Sequence, residues 1–202
     1  MAQASRGIAL PAPETSGGKP LQQLLQQRRS VREFNDTKLS LAHIGQLLWA
    51  AQGITHPQGL RTAPSAGALY PLELYAVAVN IDQLKPGIYH YQPRHHQLTL
   101  HREGEYSTAL TRAAYGQTWL QQAAVVFVFA ARYERTTVKY SKRAERYVPI
   151  EAGHAAENLF LQAEALGLGT VIVGAFDDDD VTDALQLPSA DSPILLMPVG
   201  FQ

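Results

Sequence analysis

The chain has 202 residues and a mass of 22.1 kDa, and 46% of its residues are hydrophobic, which is enough to bury one full core. Its formal net charge is −1, so no global field attracts nucleic acid or an anionic membrane, and any anion site has to be local. Cysteine is absent, which excludes disulfides, thiolate nucleophiles and cysteine-held metal clusters in this chain. The longest apolar run, residues 123–131, is far shorter than the ~20 residues of a spanning helix, so a soluble cytoplasmic protein is expected.

The first twenty residues predict an arm ahead of one domain that covers residues 21–202. Prolines and glycines interrupt any regular period there, at Pro11, Pro13, Gly17, Gly18 and Pro20. The composition leaves two alternatives for residues 1–20, a disordered tail or a segment that wraps a neighbouring subunit, and we favour the wrapping arm.

A short amphipathic helix is expected next, because Leu21, Leu24 and Leu25 recur at helical spacing and would face the core. It runs into residues 28–34, RRSVREF, which bring together four polar side chains: Arg28, Arg29, Ser30 and Arg32. Guanidiniums stay charged and present forked donors that match phosphate oxygens, so this segment is a candidate site for a phosphate monoester. The alternative is a helix start in which Ser30 and Glu33 form a capping box and the arginines are only solvated.

Ser40 is predicted to cap a second helix that ends at Gly53. Its buried face would hold Leu41, Ile44, Leu47, Leu48 and Ala51. Residues 53–71 then predict a loop rich in proline and glycine, whose small side chains at positions 65–68 would let another backbone or a flat ring approach closely. An ordinary surface loop is the alternative.

Strands are predicted at 72–80, 87–91, 97–101, 123–131, 169–176 and 194–199, and helices at 107–115, 151–166 and from the aspartates at 177–180 to 185. Segments 87–91 and 97–101 would form an edge hairpin whose turn is set by Pro93. The strand at 123–131 is apolar throughout and belongs at the centre of the sheet. This mixture predicts an α+β fold with a mostly antiparallel central sheet between helices.

Neither a dinucleotide fingerprint nor a metal site is predicted. The glycines at 167, 169 and 174 leave a helix and enter a strand, which is the reverse of the order that dinucleotide binding needs. Glu151 and His154 form one Glu-x-x-His step, but the further ligands of a di-iron site are missing, and His95 and His96 likewise lack partners.

Six segments together resemble the flavin-dependent nitroreductase superfamily, and within it the SagB-type dehydrogenases that form thiazoles and oxazoles. They are RRSVREF, SLAHIGQLLWAAQGIT, RTAPSAGALYPLELY, KYSKRAERYVPIEAGHAAENLFLQAEALGLGT, VGAFDDDDV and PVGF, and the resemblance covers residues 21–201. The resemblance implies that the arginine segment holds the phosphate of FMN. It also implies a nitroreductase-like fold and a homodimer with its flavin sites at the subunit interface.

The resemblance assigns roles to individual residues of this sequence. Cofactor contacts are implied for Arg28, Arg29, Ser30, Arg32, Pro64, Ser65, Ala66, Gly67, Leu69, Val173, Gly174 and Ala175. Residues 64–69 match the loop that approaches the flavin from the other subunit, and residues 173–175 match the segment whose backbone faces flavin N5. Lys139 and Tyr140 match a Lys–Tyr pair that heterocycle-forming dehydrogenases use as candidate bases; a solvated basic helix is the alternative.

Two departures from the family are visible. Many nitroreductases have Asn where this chain has Ala68, and a basic residue after the last strand, where this sequence has only Gln202. The resemblance implies oxidation of a small organic substrate or a peptide azoline, with reduction of nitro compounds, quinones or enones by NAD(P)H as the alternative. A non-enzymatic flavin-binding protein is a third alternative.

Overall fold

The computed structural model describes residues 7–202 and contains seven strands and seven α-helices over that range. The strands are β1 (Ile8–Ala9), β2 (Leu72–Ala78), β3 (Gly87–Gln92), β4 (Gln97–Glu103), β5 (Val125–Ala131), β6 (Gly169–Thr170) and β7 (Ser192–Gly200). The helices are α1 (Leu21–Gln27), α2 (Leu41–Gln52), α3 (Ser107–Ala113), α4 (Trp119–Gln122), α5 (Glu134–Tyr140), α6 (Ala144–Ala165) and α7 (Asp178–Leu185). Short 3₁₀ turns lie at Ala66–Ala68 and Ser141–Arg143.

The strands form one sheet in the order β1-β4-β3-β2-β5-β7-β6, and every pair of neighbouring strands is antiparallel. Side chains alternate between the two faces of a strand, so a strand buried on both faces needs a core on each side. Along β5, Phe127 and Phe129 pack into one core, and Val126 and Val128 into the other. Helices α2 and α6 cover the first face, and α3, α4 and α7 cover the second. The predicted α+β sandwich is confirmed.

Several local predictions are confirmed. The Ser40 hydroxyl accepts from the backbone of His43, and the imidazole of His43 accepts in return, which completes a capping box at the start of α2. Asp177 caps α7 through the backbone of Asp180. Gly53 does end α2, but its φ is −64°, and a Cβ on it would lie 2.1 Å from the Trp49 ring. Glycine is therefore required there for a close approach and not for a left-handed turn.

The helix α1 is present, but the prediction that its three leucines all face the core is wrong. Only Leu24 is buried, whereas Leu21 is 56% exposed and Leu25 55% exposed. Helix α1 has only seven residues and packs against α6, and only one position of its apolar stripe is buried. Two leucines are left on the surface of the subunit.

The predicted strand at 169–176 is also wrong for most of its length. Regular pairing with β7 covers only β6, and the chain then continues as an irregular segment whose one remaining bridge joins Val173 to Leu196. Ile172 is 42% exposed, so the apolar run did not mean burial on both faces. Helix α6, expected from residue 151, begins at Ala144 and runs through Pro149.

The described part of the arm, residues 7–20, lies along its own subunit. Strand β1 adds to the edge of β4, and the backbone of Leu10 donates to the carbonyl of His96. Farther on, the Gln46 side chain accepts from the backbone N–H of Glu14 and donates to its carbonyl. These contacts join the described part of the arm to the edge strand and to α2 of its own subunit.

Within residues 7–202, no helix is both long and apolar enough to cross a lipid bilayer.

Candidate functional site

The arginine segment follows α1 as extended chain and lies along one edge of the sheet. The backbone N–H of Val31 donates to the carbonyl of Thr170, and the N–H of Asn35 donates to that of Phe201. A Cβ on Gly169 would lie 2.6 Å from a methyl group of Val31, so the segment can lie this close only because residue 169 is glycine. Ser30 pairs with Thr170 in this extended stretch, and the capping-box interpretation of Ser30 and Glu33 is therefore wrong.

The three guanidiniums of the segment meet different neighbours. Arg28 stacks over the Phe160 ring at 4.7 Å and lies 4.0 Å from the Glu157 carboxylate on α6. Arg29 donates to the carbonyls of Gln26 and of Arg28, at 3.0 and 2.7 Å. Arg32 lies over the Trp119 ring at 5.6 Å. Arg29, Ser30 and Arg32 are exposed, so their donors remain accessible to a ligand.

A surface cavity of about 510 Å³ adjoins this segment and is lined by Ser30 and Arg32 among others. Next to Ser30, the buried hydroxyl of Thr170 has no hydrogen-bond partner among the described residues, and neither does the indole N–H of Trp119 beneath Arg32. Buried polar groups are normally paired, so these two mark the edge as a place where a polar ligand would find hydrogen-bonding groups. The residues present therefore fit an anionic, hydroxyl-rich group.

The segment at 173–175 continues from the same edge. Val173 exchanges two backbone hydrogen bonds with Leu196, at 2.8 and 2.9 Å, so its N–H is already used. Within residues 7–202 the N–H groups of Gly174 and Ala175 have no protein acceptor. A Cβ on Gly174 would meet no heavy atom within 4 Å, which leaves that backbone open to a flat group. Of the three residues predicted to face the flavin, Gly174 and Ala175 have free donors.

The loop at residues 64–69 has a strained backbone. Gly67, Ala68 and the adjacent Tyr70 all have positive φ angles, of 63°, 54° and 47°. Such conformations cost about 1–3 kcal/mol each for residues other than glycine and concentrate at functional sites. The Ser65 hydroxyl accepts from the backbone N–H of Tyr70 at 2.8 Å and closes the turn.

Lys139 and Tyr140 lie directly against this loop. A Cβ on Gly67 would lie 3.0 Å from the Lys139 ammonium nitrogen and 3.0 Å from the Tyr140 hydroxyl oxygen. Lys139 is exposed, with its ammonium 5.5 Å from the centre of the Tyr140 ring. The pair predicted to act as bases and the loop predicted to face a flavin therefore form one surface on the same subunit.

Lys139 and Tyr140 are the last two residues of α5, and ion pairs hold the first turn of this helix in place. The Arg135 guanidinium donates to the Glu73 carboxylate of β2 and to the backbone carbonyl of Tyr70. Burial would raise the pKa of Glu73, but the hydrogen bond from His90 and the charges of Arg135 and Arg132 outweigh it and lower that pKa. Glu73 thus stays ionised and ties α5 both to the sheet and to the end of the loop.

Glu151 is the residue of this site that sequence reasoning missed. It lies on α6 beneath Ser65 and Ala66, is 3% exposed, and its Oε1 has no partner among the described residues. Burial raises the pKa of Glu151, and the nearby Ser65 hydroxyl, Ala66 backbone and Arg61 charge only partly oppose this. The signal for it in the sequence is a glutamate on the apolar stripe of a helix, whereas the Glu-x-x-His step with His154 points only to metal binding.

Comparison with known proteins places the chain in a family. The model of the Nitroreductase family matches residues 25–201. A protein of Methanocaldococcus jannaschii that carries a nitroreductase name is 43% identical over 180 residues, which are 89% of this chain and 90% of the relative. The microcin B17-processing protein McbC of Escherichia coli is 27% identical over 161 residues, 74% of this chain and 57% of McbC. A crystal structure from Ralstonia eutropha, also described as a nitroreductase, superposes with a TM-score of 0.85 at 32% identity and covers 100% of this chain and 91% of its own.

The fold and the family match together define an oxidoreductase of the nitroreductase type. The chain belongs to the Nitroreductase family.

Proposed function

We propose that the protein is an FMN-dependent oxidoreductase whose cofactor lies along the edge formed by residues 28–32 and 173–175. The observation that carries this proposal is the continuity of that edge. Arginine and serine donors occupy one end, the unpaired Thr170 hydroxyl follows, and the free N–H groups of Gly174 and Ala175 occupy the other end. A phosphate at the first end and a flat ring at the second would match those donors.

In this proposal Arg28, Ser30 and Arg32 hold the phosphate and the ribityl chain, with Arg29 alongside. When bound, FMN supplies two-electron hydride chemistry at its N5 atom. The backbone donors of Gly174 and Ala175 would stabilise negative charge at the edge of the bound ring. The chain contributes orientation and charge stabilisation, and Lys139 and Tyr140 are the candidates for moving a proton.

The favoured reaction is the oxidation of a small organic substrate or a peptide azoline, with Lys139 or Tyr140 accepting the ring proton. The contact of this pair with Gly67 supports it, and so does the similarity to McbC, which by its name processes microcin B17. The second candidate is an NAD(P)H-dependent reductase of nitro compounds, quinones or enones, supported by the M. jannaschii relative. That reaction requires no protein base.

The homodimer is part of the proposal. If the loop at 64–69 reaches a flavin held by the partner subunit, Lys139 and Tyr140 reach the same flavin, because both lie against Gly67 of their own subunit. The exposed leucines of α1 and the exposed Ile150 of α6 supply apolar surface for such an interface. Each subunit would then contribute the phosphate site to one active site and the base pair to the other.

The cofactor assignment is tested by flavin titration. Arg28→Ala should lower FMN affinity by roughly 1.5–3 kcal/mol, because it removes a charge-assisted hydrogen bond to the phosphate. The matched control is Arg102→Ala, an exposed arginine on β4 that should leave the affinity unchanged. Wild-type protein that binds riboflavin as tightly as FMN would contradict a phosphate site.

The absorption spectrum of the purified protein, followed by anaerobic addition of NADH and NADPH, separates the remaining alternatives. Bleaching of a bound flavin by either nucleotide supports the reductase. A bound flavin that neither nucleotide bleaches, but that a substrate of the azoline class reduces, supports the dehydrogenase. A bound flavin that no reductant of either class reduces would favour a non-enzymatic flavin-binding protein.

A further inference from the structure

A second cavity, of about 240 Å³, lies behind the loop and shares no residue with the proposed flavin site. It is bounded by the last turn of α2, strands β2 and β3, the turn between β3 and β4, and α5. Its lining is apolar on the sheet side, where Leu74 and Tyr91 lie, and strongly basic elsewhere. Sites that enclose a whole drug-sized ligand measure roughly 300–1,000 Å³, so this cavity suits a smaller molecule.

Two buried N–H donors in the lining lack partners. Gln52 is 1% exposed, and its Oε1 accepts from Arg61 at 2.7 Å, but its Nε2 has no acceptor among the described residues. The Nε of the same Arg61 side chain also has none. Buried donors are almost always paired in folded proteins. Because Gln52 and Arg61 both line the cavity, acceptor oxygens of a ligand placed there could pair with these donors.

The charge of the lining points to an anion. Arg61, Arg94 and Arg135 line the cavity together with a single carboxylate, that of Glu73. Glu73 is already shared by Arg135, by His90 at 2.6 Å and by Arg132 at 3.7 Å, so this one carboxylate faces more cationic groups than it can balance. Burial lowers the pKa of Arg61, which reflects a guanidinium placed among protein atoms without a carboxylate in contact.

We propose that this cavity binds the carboxylate of a small organic acid. Gln52 Nε2 and Arg61 Nε supply the donors for its two oxygens, the exposed Arg94 supplies charge at the mouth, and Leu74 and Tyr91 contact the hydrocarbon part. The planar fork of a guanidinium matches a carboxylate. The site stands independently of the proposed flavin chemistry.

Such a ligand would be coupled to the loop. The backbone N–H of Arg61 donates to the Tyr70 hydroxyl at 3.2 Å, and the Arg135 guanidinium donates to the Tyr70 carbonyl at 2.9 Å. Tyr70 is one of the positive-φ residues that shape the turn at residues 64–69. A bound carboxylate would therefore hold Arg61, one of the two residues that keep this turn in place.

The test is a calorimetric titration of the purified protein, with its natural cofactor content, using sodium benzoate and its neutral isostere benzamide. Benzoate should bind saturably and at least about tenfold tighter than benzamide, since only the anion uses the arginine charges. Gln52→Glu keeps the side-chain volume but replaces the free donor by a carboxylate oxygen, and it should abolish benzoate binding. Arg94→Gln should weaken binding about tenfold, whereas Arg112→Gln, an exposed arginine on α3, should leave it unchanged.

Further outcomes decide against the site. Equal affinity for benzoate and benzamide, or the absence of binding at millimolar concentrations, overturns the proposal. Benzoate binding that survives Gln52→Glu but is lost in Arg28→Ala overturns it too, because the anion would then sit at the arginine segment. If Gln52→Glu failed to fold, the comparison of Arg94→Gln with Arg112→Gln would decide for or against the site, since both side chains are exposed.

Discussion

A single carboxyl group, that of Glu151, lies beneath the turn formed by Ser65 and Ala66 and is sealed from water. A buried carboxylate without a cationic contact is costly, so the neutral acid is favoured there. The neutral form can still accept hydrogen bonds from the turn above it. At the scale of one residue, we therefore expect the support of the loop to depend on the protonation of this carboxyl group, whose pKa burial raises.

The pH dependence of stability tests this protonation state. Because the folded-state pKa of Glu151 is raised, its stabilising effect is complete below the unfolded-state pKa and is lost as the pH rises through the folded-state pKa. Glu151→Gln keeps the shape of the neutral acid, so we expect its free energy of unfolding to match that of wild type near pH 5. At pH 8 the variant should be the more stable protein, by about 1.4 kcal/mol for each unit of pKa shift. Urea unfolding at the two pH values measures the difference.

Two further variants complete the experiment. Glu151→Ala should cost about 1–3 kcal/mol at both pH values, because it leaves a void and unpaired groups under the turn. Glu145→Gln, an exposed position on the same helix, should show no such pH dependence. A Glu151→Gln variant that is less stable than wild type at pH 8 would mean that the carboxylate is ionised and stabilises the folded protein.

At the scale of elements, α5 decides between the two proposed reactions. We expect Lys139→Ala and Tyr140→Phe each to keep bound FMN and, in an azoline dehydrogenase, to lose substrate oxidation by the ~10²- to 10⁴-fold typical of a lost general base. In an NAD(P)H-dependent reductase the same variants should keep most of their quinone or nitroarene turnover. Steady-state rates and the flavin absorbance of each variant are the measurements.

Val138→Ala is the matched control, because Val138 is 85% exposed on the same helix and next to Lys139. It should retain both the flavin and the activity. Loss of FMN from the Lys139 or Tyr140 variants would instead show that the pair supports the fold of the loop, and neither residue could then be assigned as a base.

Elements were predictable from the sequence where local chemistry decides them. Ser40 and Asp177 indicate helix starts through side chains that bond to the backbone of the same helix. The continuous apolar run of β5 is visible in the sequence because both faces of the strand are buried. Prediction failed where the structure of a segment depends on contacts with residues that are distant in the sequence. Leu21 and Leu25 have helical spacing but no core opposite them, and the run at 169–176 loses its partner strand after Thr170. The cavity bounded by Gln52 and Arg61 depends on contacts among α2, β2, β3 and α5, which spacing alone cannot show.

At the scale of the whole molecule, the exposed apolar surface predicts association. Leu21 and Leu25 on α1 and Ile150 on α6 are each exposed, and each is an apolar side chain that an interface could cover. We expect light scattering at low micromolar concentration to report about twice 22.1 kDa. Leu25→Ser should shift this mass toward that of the subunit, because it removes apolar area from the interface.

Leu100→Ser, at an exposed position on β4, should leave the mass unchanged. A stable, flavin-loaded species of 22.1 kDa in the wild-type protein would rule out the dimer and, with it, the sharing of active sites between subunits.

The two outermost strands of the sheet, β1 and β6, have only two residues each. A long open edge offers unpaired backbone groups to other chains and promotes aggregation. Here the edge of β4 is covered at Gln97 and Leu98 by the arm, and its uncovered end carries Arg102 and Glu103. The arm, which contacts β4 and α2 of its own subunit, thus also shortens the open edge of β4 with which a strand of another, misfolded chain could pair.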